Sequence, residues 1–210
     1  MRAILMALAM SGCAPAWCAE DILDVLQRSQ QMQLDALAAQ EVDPASEASQ
    51  VVQRSFDRVV EALNLRQPGM RLIVVRSPLL AVCLMGRVIA ANVSLADLSE
   101  SERLFILAHE LGHIEHGHWA QLGALYKRHI PGEVVASTTD PVAGILGREA
   151  SELSHRHEYE ADAFALRLLR RLGEPEETPV VLFTEHLPMV KTTATHPGTH
   201  QRLAHLRQTD

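Results

Sequence analysis

The chain has 210 residues, 47% hydrophobic and only 4% aromatic, with a formal net charge of −7. That length suits one domain with a genuine core, and a profile built on Leu, Ala and Val favours helices. An acidic chain is a poor general binder of phosphate backbones, so nucleic acid is not an expected partner.

Residues 1–19 read as an export signal, with Arg2 as its positive start and Ala3 to Met10 as a short apolar core. Ala14-Pro15-Ala16 and Ala16-Trp17-Cys18 are both small-x-small cleavage sites. Met10-Ser11-Gly12-Cys13 resembles a bacterial lipobox with Met in place of Leu, and cleavage there leaves a lipid-bearing Cys13. No later stretch reaches the ~18 uninterrupted apolar residues of a membrane span. Residues 72–93 come nearest, but Arg76, Pro78, Gly86 and Arg87 interrupt them. Residues 20–210 are therefore expected to form one domain. Cys83 stands alone and reads as a small buried hydrophobe. Without CxxC pairs there is no zinc ribbon, and a Cys18–Cys83 disulfide requires Cys18 to survive processing.

A helix is predicted over residues 20–39, with Ile22, Leu23, Val25, Leu26, Leu34 and Leu37 on a broad apolar face. After a break from Glu41 to Pro44, a second helix runs from Ser46 to Leu63 on Val52, Phe56, Val59, Val60 and Leu63. Pro68-Gly69 is a turn. Leu72 to Val75 reads as a strand, and Ala81–Leu84 with Val88–Ala91 as a hairpin around Met85-Gly86-Arg87.

Ser99 and Glu102 then form a capping box ahead of an apolar stripe that contains LAHELGH, residues 107–113. His109 and His113 stand four apart, so on a helix they project from one face and can grip one zinc ion. Glu110 falls beside them, where it can activate water. The helix is expected to continue past His118 to about Tyr126. His116 and His118 read as exposed polar residues or as partners behind the ligands. Residues 129–147 hold Pro131, Gly132, Pro141, Gly144 and Gly147 and read as a long loop, placed where a lid or substrate lip belongs.

Helical pattern returns from Arg148 to Leu172 and contains SHRHEYEADAFAL. Glu158 and Asp162 share a face, and a carboxylate on a second helix is what two helix-borne histidines need for a His2Glu site. Asp162 can accept a hydrogen bond from a ligand histidine and fix its tautomer. A further helix is predicted over 176–186. Thr192 to Gly198 lacks apolar periodicity and reads as a surface loop able to fold over the metal cleft. A last helix starts at Gly198 or Thr199 and carries Arg202, Leu203 and Leu206.

Three blocks thus stand in order: HELGHIEHGH, SHRHEYEAD and THPGTHQRLAHL. Together they resemble the zinc metallopeptidase family of HtpX, the type I CAAX prenyl protease, the Oma-type protease and BepA. The resemblance covers roughly residues 50–208, and the order and spacing of the blocks are its most specific feature. It implies an α+β, mainly helical zincin-like metallopeptidase domain, with a small β-sheet and hairpin packed on the HExxH helix. It implies one zinc per chain on His109, His113 and Glu158, with Glu110 as general base and Asp162 behind the ligands. His196 matches the histidine of the family's THP turn and Arg202 the arginine after it; either could supply a donor to the tetrahedral oxyanion.

Two departures matter: the transmembrane helices of the membrane-embedded members and the helical repeats of BepA are missing. The chain therefore looks like a stand-alone catalytic domain, similar to small periplasmic members, either soluble or lipid-anchored at Cys13. The implied partners are protein or peptide substrates, namely misfolded or mislocalised envelope proteins. Two rival readings come from other classes. One is a metal-binding chaperone or assembly factor that scarcely cleaves, which leaves Glu110 without a purpose. The other is an intracellular regulator acting on DNA-bound proteins, which the leader, the acidic charge and the THP block oppose.

Overall fold

The computed structural model describes residues 20–65 and 68–209; the expected leader, with Cys13 and Cys18, lies outside the described residues. Helix α1 (Ile22–Ala38) starts at Asp21, whose carboxylate accepts from Leu23 N at 2.9 Å. Its buried face is narrower than predicted: Ile22, Leu34 and Leu37 are buried, while Leu23 is 43% exposed. Helix α2 (Glu47–Leu63) is capped by Ser46 and buries Val52, Phe56 and Val59 at helical spacing.

Strands β1 (Arg71–Val75), β2 (Ala81–Leu84) and β3 (Val88–Asn92) form one sheet. The hairpin is present, but the sheet order is β1-β3-β2, with β1 parallel to β3. The central place of β3 leaves β2 as an edge strand. Side chains alternate between the faces. Ile73, Val75, Val88 and Ala90 pack on Leu34 and Leu37 of α1. Val74, Ile89 and Ala91 join the main core with α2 and the HELGH helix. Burial on both faces explains why these strands read as continuous apolar runs.

That helix, α3 (Glu100–Glu115), opens on the predicted capping box: Ser99 Oγ accepts from Glu102 N, and Glu102 Oε2 accepts from Ser99 N at 2.9 Å. It does not continue to Tyr126. His116 N donates to Gly112 O and Gly117 N to Ile114 O, and Gly117 adopts φ +64°, in the left-handed region that glycine enters without steric cost. A separate helix, α4 (His118–His129), starts at the next residue. The predicted long loop is also shorter. It holds α5 (Ala136–Thr139), and α6 (Ala143–Leu172) begins ahead of Arg148. Val134 N bonds Glu20 O, and Ile130 and Leu146 pack with Ile22, so this segment is held against the start of α1.

The chain closes with α7 (Thr178–Val181), a wide turn over Leu182–His186 in which Leu187 N reaches back to Leu182 O, and α8 (Thr199–Leu206). The single helix predicted over 176–186 is thus split, in a wide-turn geometry that often marks functional sites. No helix among the described residues is long and apolar enough to cross a membrane.

The closest packing is between α3 and α6. A Cβ on Gly112 would sit 3.2 Å from both Ala161 Cα and Phe164 Cδ1. Backbone on one side and a core ring on the other leave little room to yield. Gly112→Val should therefore destabilise the fold by about 1–3 kcal/mol, read by chemical denaturation. Unchanged stability would mean that the two helices separate freely.

Candidate metal centre

Helix α3 presents His109 and His113 one turn apart on a single face. Helix α6 brings Glu158 to them. His109 Nε2 and His113 Nε2 face each other at 3.2 Å, Glu158 Oε2 is 3.6 Å from the first and Glu158 Oε1 3.5 Å from the second. They are the one group of three such side chains among the described residues placed so that they could hold a metal ion. The fit to a metal can be judged from these distances. A tetrahedral ion with bonds of about 2.0–2.1 Å sets its ligand atoms ~3.3 Å apart, close to all three separations. Two imidazoles and a carboxylate are also a donor set that zinc favours.

Each histidine is held from behind. His109 Nδ1 donates to Asp162 Oδ1 at 2.9 Å, which leaves Nε2 bare. Asp162 is fully buried and gripped at two points by Arg202 of α8, Nε to Oδ2 at 2.8 Å and Nη2 to Oδ1 at 2.5 Å. Burial works to raise the Asp162 carboxyl, but the Arg202 charge outweighs it and holds it at about 2. Burial likewise opposes a charged His109, yet its Asp162 hydrogen bond and the Glu158 charge raise it. His113 lacks such a partner. Burial above all holds it neutral, down at about 2. Its Nδ1 instead lies 2.9 Å from His118 Nδ1.

Glu110 is buried in the same cavity, and burial above all lifts its carboxyl to about 7. The cavity is open and about 380 Å³ in volume. Ala81, Val82 and Cys83 of β2 form one wall, with Trp119 and Leu122 of α4 nearby. Phe183 and Leu187 also line it, and His196 stands at the mouth, its Nε2 3.7 Å from Glu158 Oε1 and its side chain 59% exposed. The surface loop before α8 does fold back over the cleft, tied to α6 where His155 Nε2 donates to Thr193 O at 2.7 Å. Residues 129–147 line no part of this cavity, so the lid expected of them is corrected: their contacts with α1 commit them elsewhere.

Sequence reasoning missed two residues here and left the place of a third open. Phe183 lies under the Arg202 guanidinium, 4.6 Å from it. His155 anchors the loop, and His118, expected either exposed or behind the ligands, is buried behind His113. Only His118 left a signal, since its block is unusually rich in histidine.

A His-x-x-x-His helix with a carboxylate from a second helix, beside a small mixed sheet, defines a zincin-like metallopeptidase domain. The chain matches the model of peptidase family M48 over residues 46–210 and belongs to that family. Peptidases of this family are zinc metalloendopeptidases, hydrolases acting on peptide bonds. Among curated proteins, no match to the chain was found.

The Arg202–Asp162 pair generates a stability prediction. Arg202→Ala leaves a buried carboxylate unpaired and should cost about 3–5 kcal/mol by denaturant titration. Arg202→Lys keeps the charge but not the two-point fork and should recover only part. Wild-type stability in Arg202→Ala would show that water replaces the guanidinium.

Proposed function

We propose that the protein is an endopeptidase of the cell envelope that holds one zinc ion through His109, His113 and Glu158 and cleaves misfolded or mislocalised proteins. The observation that carries the reading is the convergence of His109 Nε2, His113 Nε2 and the Glu158 carboxylate within 3.2–3.6 Å. The open cleft supports an internal scissile bond. So does β2: it pairs only with β3 among the described residues, and its cavity side offers backbone groups to which an extended polypeptide can add as a further strand.

Bound zinc supplies Lewis-acid chemistry, lowering the pKa of water and polarising the scissile carbonyl. Glu110 takes the proton of the attacking water on its carboxylate and later returns one to the leaving amine nitrogen. A carboxyl raised towards neutrality by burial is suited to both transfers. Asp162 holds His109 in the tautomer with a bare Nε2. Arg202 acts through others, since two of its nitrogens are committed to Asp162 and Nη1 lies 3.7 Å from Glu158 Oε2. That commitment favours His196, at the mouth of the cavity, as the donor to the oxyanion.

Glu110→Gln should keep zinc and fold while losing on the order of 10²–10⁴ in kcat against casein. His113→Ala should lose zinc altogether. Full zinc and full activity in His113→Ala would sink the assignment, and undiminished cleavage by Glu110→Gln would remove the base. His196→Ala should cost on the order of 10²-fold in kcat with zinc retained; increased basal cleavage would instead mark His196 as a latch that blocks the site.

The envelope location rests on Arg2, the apolar run to Met10 and the small residues after it. Mass spectrometry of the mature N-terminus should find cleavage, either before Cys13 with lipid or nearer Ala19 without it. An intact Met1 in a cytoplasmic fraction would refute export. A proteomic comparison of wild-type and Glu110→Gln cells should then reveal the substrates as envelope proteins accumulating in the variant.

A further inference from the structure

The two metal-facing histidines are supported differently. Behind His109 stands a carboxylate, Asp162; behind His113 stands another imidazole, His118, which is 4% exposed. His118 is the first residue of α4, immediately after Gly117 with its φ of +64°. A continued α3 would have carried residue 118 around the helix and away from His113, which lies five residues earlier. The break at Gly117 is therefore what turns the His118 ring back towards its neighbour.

The proton positions along this line follow from one another. His113 faces His109 and Glu158 with Nε2, so a metal ligand there needs its lone pair on Nε2 and its proton on Nδ1. The Nδ1 hydrogen is donated to His118 Nδ1 at 2.9 Å, which must then be bare. His118 consequently carries its own proton on Nε2, where Glu160 Oε2 accepts it at 3.1 Å. Each nitrogen has one role and no donor meets a donor. The ring of His118 is also fixed in plane: His157 stacks on it at 3.9 Å and 7°. His157 is itself oriented by donating from Nε2 to Gln121 Oε1 at 3.2 Å, while Gln121 Nε2 donates to His116 O at 2.8 Å and so sets its own amide.

We propose that His118, held by Glu160 and His157, is a positioning residue that fixes the tautomer of His113 and presents its Nε2 lone pair to the metal. The inference rests on the reading of His113 as a zinc ligand. Removing the second hydrogen-bonding partner of a ligand histidine typically weakens metal binding by about 10–100-fold.

The test uses full-length wild type, His118→Phe and His118→Asn, with zinc affinity measured by competition against a chromogenic chelator. Phe keeps a ring to stack on His157 but offers no acceptor. Asn places Oδ1 where Nδ1 stood and can accept the His113 proton. Zinc should bind about 10–100-fold more weakly in His118→Phe and recover most of that loss in His118→Asn, with similar melting of all three in chelator. Equal affinities in all three, or equal losses in Phe and Asn, overturn the proposal and leave His118 a packing residue. Imidazole nitrogen NMR of the wild type gives a reading that does not depend on a folded variant: His113 should carry its proton on Nδ1, and a proton on Nε2 in the zinc-loaded protein overturns the proposal. A wild type that binds no zinc would overturn the functional reading itself, whereas tight wild-type zinc with no effect of His118→Phe overturns this inference alone.

Discussion

Everything at the site depends on how closely α3 and α6 approach. The metal-facing group is shared between them, two imidazoles from one helix and a carboxylate from the other, and its separations are set within a few tenths of an ångström by the helix spacing. Ala161 at the contact packs directly on Gly112, where even a Cβ would lie at 3.2 Å. Gly112 sits one residue before His113, and Ala161 lies between Glu158 and Asp162. The same contact therefore sets both the separations within the His109–His113–Glu158 group and the reach of Asp162 to His109. Small residues inside HELGH and HEYEAD are as much part of the site as the charged ones. They let the two helices close to within reach of a bond.

Close packing buries charge, and burial is costly unless the charges are matched. Asp162, Glu158 and Glu110 are three buried carboxyls close together, and the structure treats each differently. Asp162 is matched by the Arg202 fork and stays ionised. Glu158 lies near two imidazoles and Arg202 Nη1. Glu110, with the Glu158 charge also acting on it, is pushed towards neutrality. One guanidinium thus serves two carboxylates and stacks on Phe183 at the same time. This gives the last helix, α8, a reason to be where it is. Leu203 and Leu206 anchor it in the core, and Arg202 on the same element completes the electrostatics of a site made by α3 and α6.

What could be read from the sequence follows from range. His109, His113, Glu158 and Asp162 are legible because a spacing of four on a helix fixes direction before any tertiary contact forms. The Ser99–Glu102 cap and the β2–β3 hairpin are equally local. The parallel pairing of β1 with β3 is not local, and no periodicity reports which strand takes the centre. The break at Gly117 was hidden by good helical pattern on both sides, since glycine within such a pattern is often tolerated. The lip was assigned to residues 129–147 on their Pro and Gly content. Composition shows that a segment is irregular and not which surface it packs on; Ile130 and Leu146, with Val134 N, bind it to α1 instead.

The two sides of the cleft differ in how firmly they are built. β2 belongs to a sheet covered on both faces, and Met85 N just beyond it is held by the Gln30 side chain of α1. The opposite rim, from Pro188 to His196, is exposed and buries no large side chain. It hangs on a few polar links: His155 to Thr193 O, Val190 to Thr199 through backbone and hydroxyl, and Thr192 to Gln201. Segments held by exposed hydrogen bonds with little apolar burial open at lower free energy than the core. The edge of β2 is therefore the firmly held side of the cleft and the rim bearing His196 the weakly held one. The His109–His113–Glu158 group does not depend on the rim, because its three side chains and the partners behind them all stand on α3, α4, α6 and α8.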